Sequence, residues 1–435
     1  MRRESRSSGE PEITMSERFD AIIVGAGPAG SAAAYSLAKM GFNVLIIERG
    51  KYPGAKNVMG GRMYAYSLDR LIPEFWKEAP VERKVTRERL TMQCEKASLT
   101  LDFMDEGLLG PPNSFTILRA KFDQWFAGKA VEAGAALVPG IRVDDLLWEN
   151  GRIAGIVAGT DKIEANIVIA ADGAASLLAE KAGLRKSDVK QFALGMKEII
   201  ELPQKTIEER FNLAGGEGAA QLFVGRCTKE IPGGGFIYTN TSSLSVGIVV
   251  YIDRLIGKKI EAHEIIRDFN TNPEVAKMIE GGKILEYSAH VIPEASQSEL
   301  FTDGMLVAGD AGGLLVNSGV TLRGMDMAIA SGAAAAKATK NAYEKNDFSK
   351  KSLSYYEELL KNDFVLQDRE TFKKAPEFLQ NERLYTMYPE FMCRLFHRIA
   401  LVNGPKKRVF DELLEETKGK RTQMFLDMLR ALRAV

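Results

Sequence analysis

Residues 19–48 read FDAIIVGAGPAGSAAAYSLAKMGFNVLIIE, and this stretch decides the fold. Phe19–Val24 is short, apolar and β-branched, the pattern of a strand buried on both faces of a parallel sheet. Gly25-Ala-Gly27-Pro28-Ala29-Gly30 is a glycine-rich turn. Residues 31–40 are predicted to be a helix stopped at Gly41, and residues 43–48 a second buried strand ending on Glu48. Together they form a compact βαβ unit. Each glycine has its own reason: Gly25 for a tight turn, Gly27 for close approach of a pyrophosphate, and Gly30 for helix–strand packing. The helix N-terminus offers free N–H groups and a dipole that favour phosphate, and Glu48 is placed to accept hydrogen bonds from ribose hydroxyls. A glycine triplet alone also marks ordinary turns. Its position between strand and helix, with an acid closing the next strand, points to a dinucleotide.

The chain has 435 residues, enough for about two or three domains. Hydrophobic residues make up 45% and charged residues 27%, an ordinary folded composition. Basic and acidic side chains both number 58, so the basic excess expected of nucleic-acid binding is missing. Cys94, Cys227 and Cys393 lie far apart with no CxxC, which argues against an iron–sulfur cluster or a metal site held by this chain alone. Scattered cysteines suit a reducing cytoplasm. Residues 1–18 are polar and charged, without the apolar core of a secretory signal, and are expected to be a disordered tail, with Met15 as a second start. An uninterrupted apolar run of about 18 residues, the length a spanning helix needs, does not occur; surface attachment stays open.

Further along, residues 51–114 show little periodicity. Residues 122–133 read as a helix, and residues 136–138, 143–148, 153–158 and 162–165 as short strands, with Asn150-Gly151 as a hairpin turn. Residues 167–171 (IVIAA) and 305–308 (MLVA) are buried strands that deliver Asp172-Gly173 and Gly309-Asp310. Residues 190–290 alternate in the manner of a mostly antiparallel sheet, and from Arg323 onward the pattern is helical. Gly324, Ala328 and Gly332 are spaced by four, leaving one helix face nearly bare. That face serves helix packing, or it brings a helix N-terminus to a bound ring whose negative charge the dipole stabilises.

The glycine turn and the two acid–glycine strand ends, in this order, resemble the large FAD-dependent family that includes aromatic hydroxylases, geranylgeranyl reductases and the quinone-reducing partners of electron-transfer flavoprotein. The resemblance covers residues 19–345 and implies FAD as cofactor, with Asp310 on its ribityl chain and Arg119, in LRAKFD, meeting the cofactor. Hydroxylases carry an arginine three residues after the serine that follows the middle Asp-Gly, and a His and a Pro after the late Gly-Asp. Here Ala179 follows Ser176, and Gly313 and Val316-Asn317 stand in the later places, so NAD(P)H-dependent hydroxylation loses ground.

Residues 55–64 (AKNVMGGRMY), 309–317 (GDAGGLLVN) and 321–326 (TLRGMD) are similar to the FixC group of the electron-transfer flavoprotein–quinone oxidoreductase family. That likeness implies a glutathione-reductase-like α/β FAD-binding Rossmann fold with an inserted antiparallel substrate domain and a helical C-terminal region. Its cofactor residues are expected at Gly25, Gly27, Pro28, Ala29, Gly30, Glu48, Arg49, Gly60, Gly61, Arg119, Asp172, Gly173, Gly309, Asp310 and Gly324. Segments 19–75, 115–185 and 295–345 are expected to form the FAD domain, 76–114 and 186–294 the quinone domain, and 346–435 the helical region. The resemblance also implies electrons arriving from electron-transfer flavoprotein subunits and leaving to a membrane quinone. Iron–sulfur clusters are expected on a ferredoxin-like partner, and the setting is cytoplasmic, peripheral on the inner face of the cell membrane, within an electron-bifurcating complex.

Pro232-Gly-Gly-Gly-Phe236 is the expected quinone contact, through Gly233 and Gly234, because a glycine run exposes N–H groups without steric cost. A plain β-turn is the competing reading. The transfer needs no nucleophile and no metal, since the cofactor carries the chemistry. His263, His290 and His397 lie outside every motif and read as structural. Residues 391–402 combine apolar positions with Arg394 and Arg398, either a core-facing helix or one lying on lipid or a partner. A prenyl-chain reductase of the geranylgeranyl type and a structural flavin-binding assembly subunit are the alternatives to quinone reduction.

Overall fold

Ile22 and Ile23 are both fully buried, yet they serve different cores. Ile23 packs with Ala21 among the small residues of two helices, whereas Ile22 and Val24 pack on the opposite face of the sheet. A strand covered on both sides needs a continuous apolar run, which is what the sequence supplies. The computed structural model describes residues 18–55, 61–108, 110–186, 188–294 and 299–435.

The first sheet runs in space through the parallel strands Met305–Val307, Asp161–Ala170, Phe19–Val24, Val44–Glu48 and Ala136–Pro139. Phe301–Thr302 pairs antiparallel at one edge. Asp145–Glu149 and Arg152–Ala158 form a hairpin whose turn is Asn150-Gly151, both with positive φ (50° and 80°), as expected. The hairpin continues into Asp161–Ala170, so the two strands expected at 162–165 and 167–171 are one. The register sets Val24 opposite Ala170, and Ala170 opposite Val307. The glycine turn and both acid–glycine motifs therefore emerge side by side at the carboxyl ends of adjacent strands, where open α/β sheets bind ligands.

Helix Pro28–Lys39 starts at the glycine turn, three residues earlier than expected, with Pro28 at its first position. It packs against helix Met325–Lys345 at almost backbone contact: a Cβ on Gly332 would lie 2.1 Å from the Ala29 carbonyl oxygen. Helix Arg119–Glu132 covers its other side.

The second sheet has nine strands in the order Lys283–Pro293, Phe192–Glu201, Ser243–Tyr251, Gly233–Thr239, Glu217–Gly225, Val81–Gln93, Ser114–Ile117 and Arg62–Tyr64, with Ser98–Met104 beside Val81–Gln93. It is antiparallel except where Glu217–Gly225 meets Val81–Gln93. Arg62–Tyr64 and Ser114–Ile117 belong to it, so the boundaries drawn at 75 and 115 run through this sheet. The segment after residue 346 is helical, including Met387–Ala400, Val409–Glu416 and Arg421–Ala434. No helix among the described residues is long and apolar enough to cross a membrane.

Candidate functional site

A cavity opens at the carboxyl ends of the central strands, lined by Gly25, Gly27, Glu48, Arg49, Asp172 and Gly173 among others. Gly25 and Gly30 are required by the protein itself. Their Cβ atoms would lie 2.3 Å from the Ala171 carbonyl oxygen and 1.9 Å from the Gly25 carbonyl oxygen, and Gly25 has φ +103°. Gly27 differs: it is extended, and a Cβ there would meet only the Arg119 Nη2, at 3.9 Å. Nothing among the described residues demands glycine at Gly27, which stays open to the cavity at the N-terminus of a helix. Gly324, at the N-terminus of Met325–Lys345, is open in the same way.

Glu48 sits where the next strand ends, 8% exposed, and braces the turn. Its Oε2 accepts from the Ala26 N–H at 2.9 Å and its Oε1 from the Gly50 N–H at 2.6 Å, leaving lone pairs for further donors. Arg49 is exposed at the cavity mouth. Asp172 accepts from Ser176 Oγ at 2.6 Å and from the Leu178 N–H at 3.3 Å, so its carboxylate anchors the short helix Leu177–Lys181. Burial pushes its carboxyl above the ordinary range. Gly173 has φ +84° and open space beside it.

Arg119 is buried and forks onto Asp123 one turn on, at 2.8 and 2.7 Å. The pair stands between Gly27 and Asp310, whose carboxyl is pushed up by burial against the pull of Arg119 and Arg185. Gly309 has φ +65°, and its N–H donates to Ser331 Oγ at 3.0 Å. Pro28 and Ala29 are buried, Ala29 against Gly309 and Gly332, and neither is part of the cavity lining. Gly61 lies under the second sheet, where a Cβ would press on the Tyr238 ring at 2.8 Å. Gly60 lies outside the described residues.

Three further charged or titratable groups near this site were not among the expected site residues. Asp123 was readable as the i,i+4 partner of Arg119. Lys197 and His290 come from adjacent strands of the second sheet and had no local signal. Burial pushes Lys197 down to about 8, and His290, which lines the cavity, is pushed down by burial and by the charges of Arg119 and Arg49.

A second cavity, about 470 Å³, lies between the second sheet and the C-terminal helices. Its walls are mostly apolar: Met92, Leu222, Phe236, Phe391 and the glycines Gly233 and Gly234 among them. The glycine run is neither a free turn nor an open loop. It begins strand Gly233–Thr239, with Gly233 opposite Val250 and Gly234 opposite Val249. The loop that follows Asp310 closes one side of this cavity through Asn317, Ser318 and Gly319, linking it to the first site. Arg394 and Arg398 pair with Glu416, Glu412 and Glu415 of the next helix, while Phe391, Cys393 and Leu395 face inward. The core-facing reading of residues 391–402 therefore holds as far as Leu395, and from Phe396 to Val402 no residue is buried. No cluster of potential metal ligands occurs among the described residues.

An open glycine turn on a helix N-terminus, beside acids at the ends of parallel strands, is the arrangement of the dinucleotide-binding class of proteins. The model for FAD dependent oxidoreductases matches residues 20–219, that for "ETF-QO, ubiquinone-binding" residues 192–292, and that for the ETF-QO/FixC family C-terminal domain residues 375–435. Protein FixC of Escherichia coli (strain K12) is 48% identical over 394 residues, 89% of this chain and 91% of its own. A probable electron transfer flavoprotein-quinone oxidoreductase of the same strain is 43% identical over 393 residues, 89% of this chain and 92% of its own. Among solved structures, a geranylgeranyl bacteriochlorophyll reductase-like protein from Thermoplasma acidophilum superposes with a TM-score of 0.73 at 22% identity, over 95% of this chain and 99% of that one. The protein is an FAD-dependent oxidoreductase. The chain belongs to the FixC branch of the electron-transfer flavoprotein–quinone oxidoreductase family and carries that family's quinone-binding domain.

Proposed function

We propose that this protein accepts electrons from electron-transfer flavoprotein and passes them through FAD to a membrane quinone. The observation that carries the reading is the apolar cavity at Gly233–Phe236, inside the segment matched by the ubiquinone-binding model and joined to the first site by the loop after Asp310.

In this reading FAD lies in a glutathione-reductase-like domain. Gly25, Gly27 and Gly30 with the N-terminus of helix Pro28–Lys39 hold the pyrophosphate, and Glu48 with Arg49 holds the adenosine end. Arg119, Asp172, Gly173, Gly309 and Asp310 line the path to the ring. Gly324 turns a second helix N-terminus toward it, where the dipole favours negative charge on the reduced ring. Bound FAD supplies the two-electron chemistry; the protein orients it and keeps water from the apolar cavity. Gly233 and Gly234 present backbone to the quinone ring, while Met92, Leu222 and Phe391 accommodate its isoprenoid portion.

The chain acts as the FixC-like subunit of an electron-bifurcating complex, with iron–sulfur clusters on a ferredoxin-like partner. It sits peripherally on the inner face of the cell membrane. Exposed Leu101, Phe103 and Met104 on one strand, and Phe396 on the helix packed against it, support that attachment.

The test is anaerobic. FAD-loaded protein is mixed with reduced electron-transfer flavoprotein and then with a short-chain ubiquinone. Bleaching of the flavin, and its recovery on adding quinone, is the expected result. A flavin that responds to neither removes the proposal. Saturation of a geranylgeranyl substrate would instead assign the cavity to a prenyl chain.

A further inference from the structure

Reducing a quinone to a quinol takes two electrons and two protons. With a reduced flavin as the reductant, a hydride equivalent accounts for both electrons and one hydrogen. The other hydrogen is a proton that must reach a quinone oxygen inside an apolar cavity. Among the described residues lining that cavity, Glu294 is the one with a carboxylic side chain.

Three strand ends bring it there. Gly233 opens its strand, Tyr251 closes the neighbouring one, and Glu294 follows directly on Lys283–Pro293, all at the same end of the second sheet. Glu294 is 8% exposed and makes no ion pair among the described residues. Among the described residues its carboxyl accepts from neutral donors alone: the Tyr251 hydroxyl at 3.4 Å and the Asn317 amide at 3.3 and 3.4 Å. Its backbone N–H is fixed to the Gln191 carbonyl at 2.8 Å. Glu294 also lines a third, polar cavity of about 730 Å³, walled by Arg254, Asn317, Arg369, Arg383 and Arg430 among others. One carboxyl therefore faces the apolar cavity on one side and a polar cavity on the other.

We propose that Glu294 is the proton donor to the quinone. The inference rests on the quinone reading above. As the hydride equivalent reaches the ring, the Glu294 O–H bond breaks and a new O–H bond forms on the quinone oxygen. Quinol leaves, and Glu294 remains as a carboxylate. Water in the polar cavity restores its proton. Tyr251 and Asn317 are positioning residues that hold the carboxyl at the boundary. Burial without a cationic partner pushes the Glu294 carboxyl above the ordinary range, which keeps the acid form available. The titratable groups around it act on the same balance. Tyr251 and Tyr385 are both pushed up by burial, Asp253 lies beside Tyr251, and the polar cavity adds Lys373, Glu377 and the four arginines Arg254, Arg369, Arg383 and Arg430.

The experiment follows reoxidation of the photoreduced, FAD-loaded protein by a short-chain ubiquinone across pH, beside reoxidation by ferricenium, which takes electrons without protons. Wild-type reoxidation by quinone is expected to slow as pH rises through the Glu294 titration. E294Q is expected to be about a hundredfold slower, to lose that pH limb and to match the wild type with ferricenium, whereas E294D keeps the limb. A readout independent of turnover is the infrared carboxylic C=O component of the oxidised protein that is lost over the same pH range as the limb; E294Q is expected to remove that band and leave those of the other buried carboxyls in place. E294Q that matches the wild type with quinone at every pH, or that keeps the band, overturns the assignment while leaving quinone reduction standing. Wild-type protein that ferricenium oxidises and quinone does not would remove the quinone reading, and this inference with it.

Discussion

At Gly25, Gly27 and Gly30 the same residue type does two different jobs. Gly25 and Gly30 are bare because the chain's own backbone occupies the space, whereas at Gly27 the space stays open. Gly30→Ala is therefore expected to destabilise the protein with or without cofactor, by about 1–3 kcal/mol, since a well-packed backbone contact must move. Gly27→Val is expected to leave the apoprotein's thermal midpoint unchanged and to weaken FAD binding at least about tenfold. Thermal melts of both apoproteins, with fluorescence titration of FAD, check the contrast; a Gly27→Val protein that binds FAD normally would return that glycine to packing. This division was legible in the sequence because turn, approach and packing glycines occupy fixed places in the motif. The surroundings of Arg119 were less so. Its partner Asp123 lies one helical turn away, but Lys197 and His290 arrive from a strand pair some seventy or more residues downstream, and spacing carries no trace of that.

At the scale of elements, the parallel strands were readable because burial on both faces enforces an apolar run, as in Phe19–Val24. Val81–Gln93 was not. Its sequence, VERKVTRERLTMQ, is dominated by charge, and those charges are satisfied across strands: Arg87 and Arg89 both bind Asp102, and Arg62 binds Glu88. Pairing of this kind leaves no hydrophobic alternation to detect. The glycine run at Gly233 misled in a related way. Three glycines suit a turn, yet here they allow a strand to pass under Phe269 and over the Val249 carbonyl, where a Cβ would come within 2.9 Å and 2.1 Å respectively. Helix Met325–Lys345 shows that packing and dipole are compatible uses of one bare face. Gly332 meets Ala29, while Gly324 at the N-terminus stays open. A carboxylate placed there by Gly324→Asp has room, caps the helix, and opposes negative charge on a reduced ring. The flavin midpoint potential is expected to fall by about 5–20 mV, the two-electron equivalent of about 0.3–1 kcal/mol. Spectroelectrochemical titration gives the answer, and an unchanged potential assigns the helix to packing alone.

For the whole molecule, the arrangement of the two cavities frames a problem of access. An isoprenoid quinone is confined to lipid, while the chain has no membrane-crossing helix among its described residues. The apolar cavity is walled on one side by helix Met387–Ala400, which packs on the strands Val81–Gln93 and Ser98–Met104. On that strand and helix Phe103 is 57% exposed and Phe396 45%, a costly display for a protein surrounded only by water. If this face rests in the headgroup region, each half-exposed ring contributes about 0.7–1.7 kcal/mol on burial, and a long-chain quinone need travel only from the lipid beneath into the cavity. Phe103→Glu combined with Phe396→Glu is then expected to reduce co-sedimentation with phosphatidylethanolamine–phosphatidylglycerol vesicles by about tenfold or more. The variant should keep its FAD and reduce a water-soluble short-chain quinone as the wild type does, because neither ring lines either cavity. Reduction of a long-chain quinone held in the vesicles should fall with the binding. Unaltered sedimentation would assign these rings to a protein partner, and the long-chain quinone would then have to reach the cavity by another face.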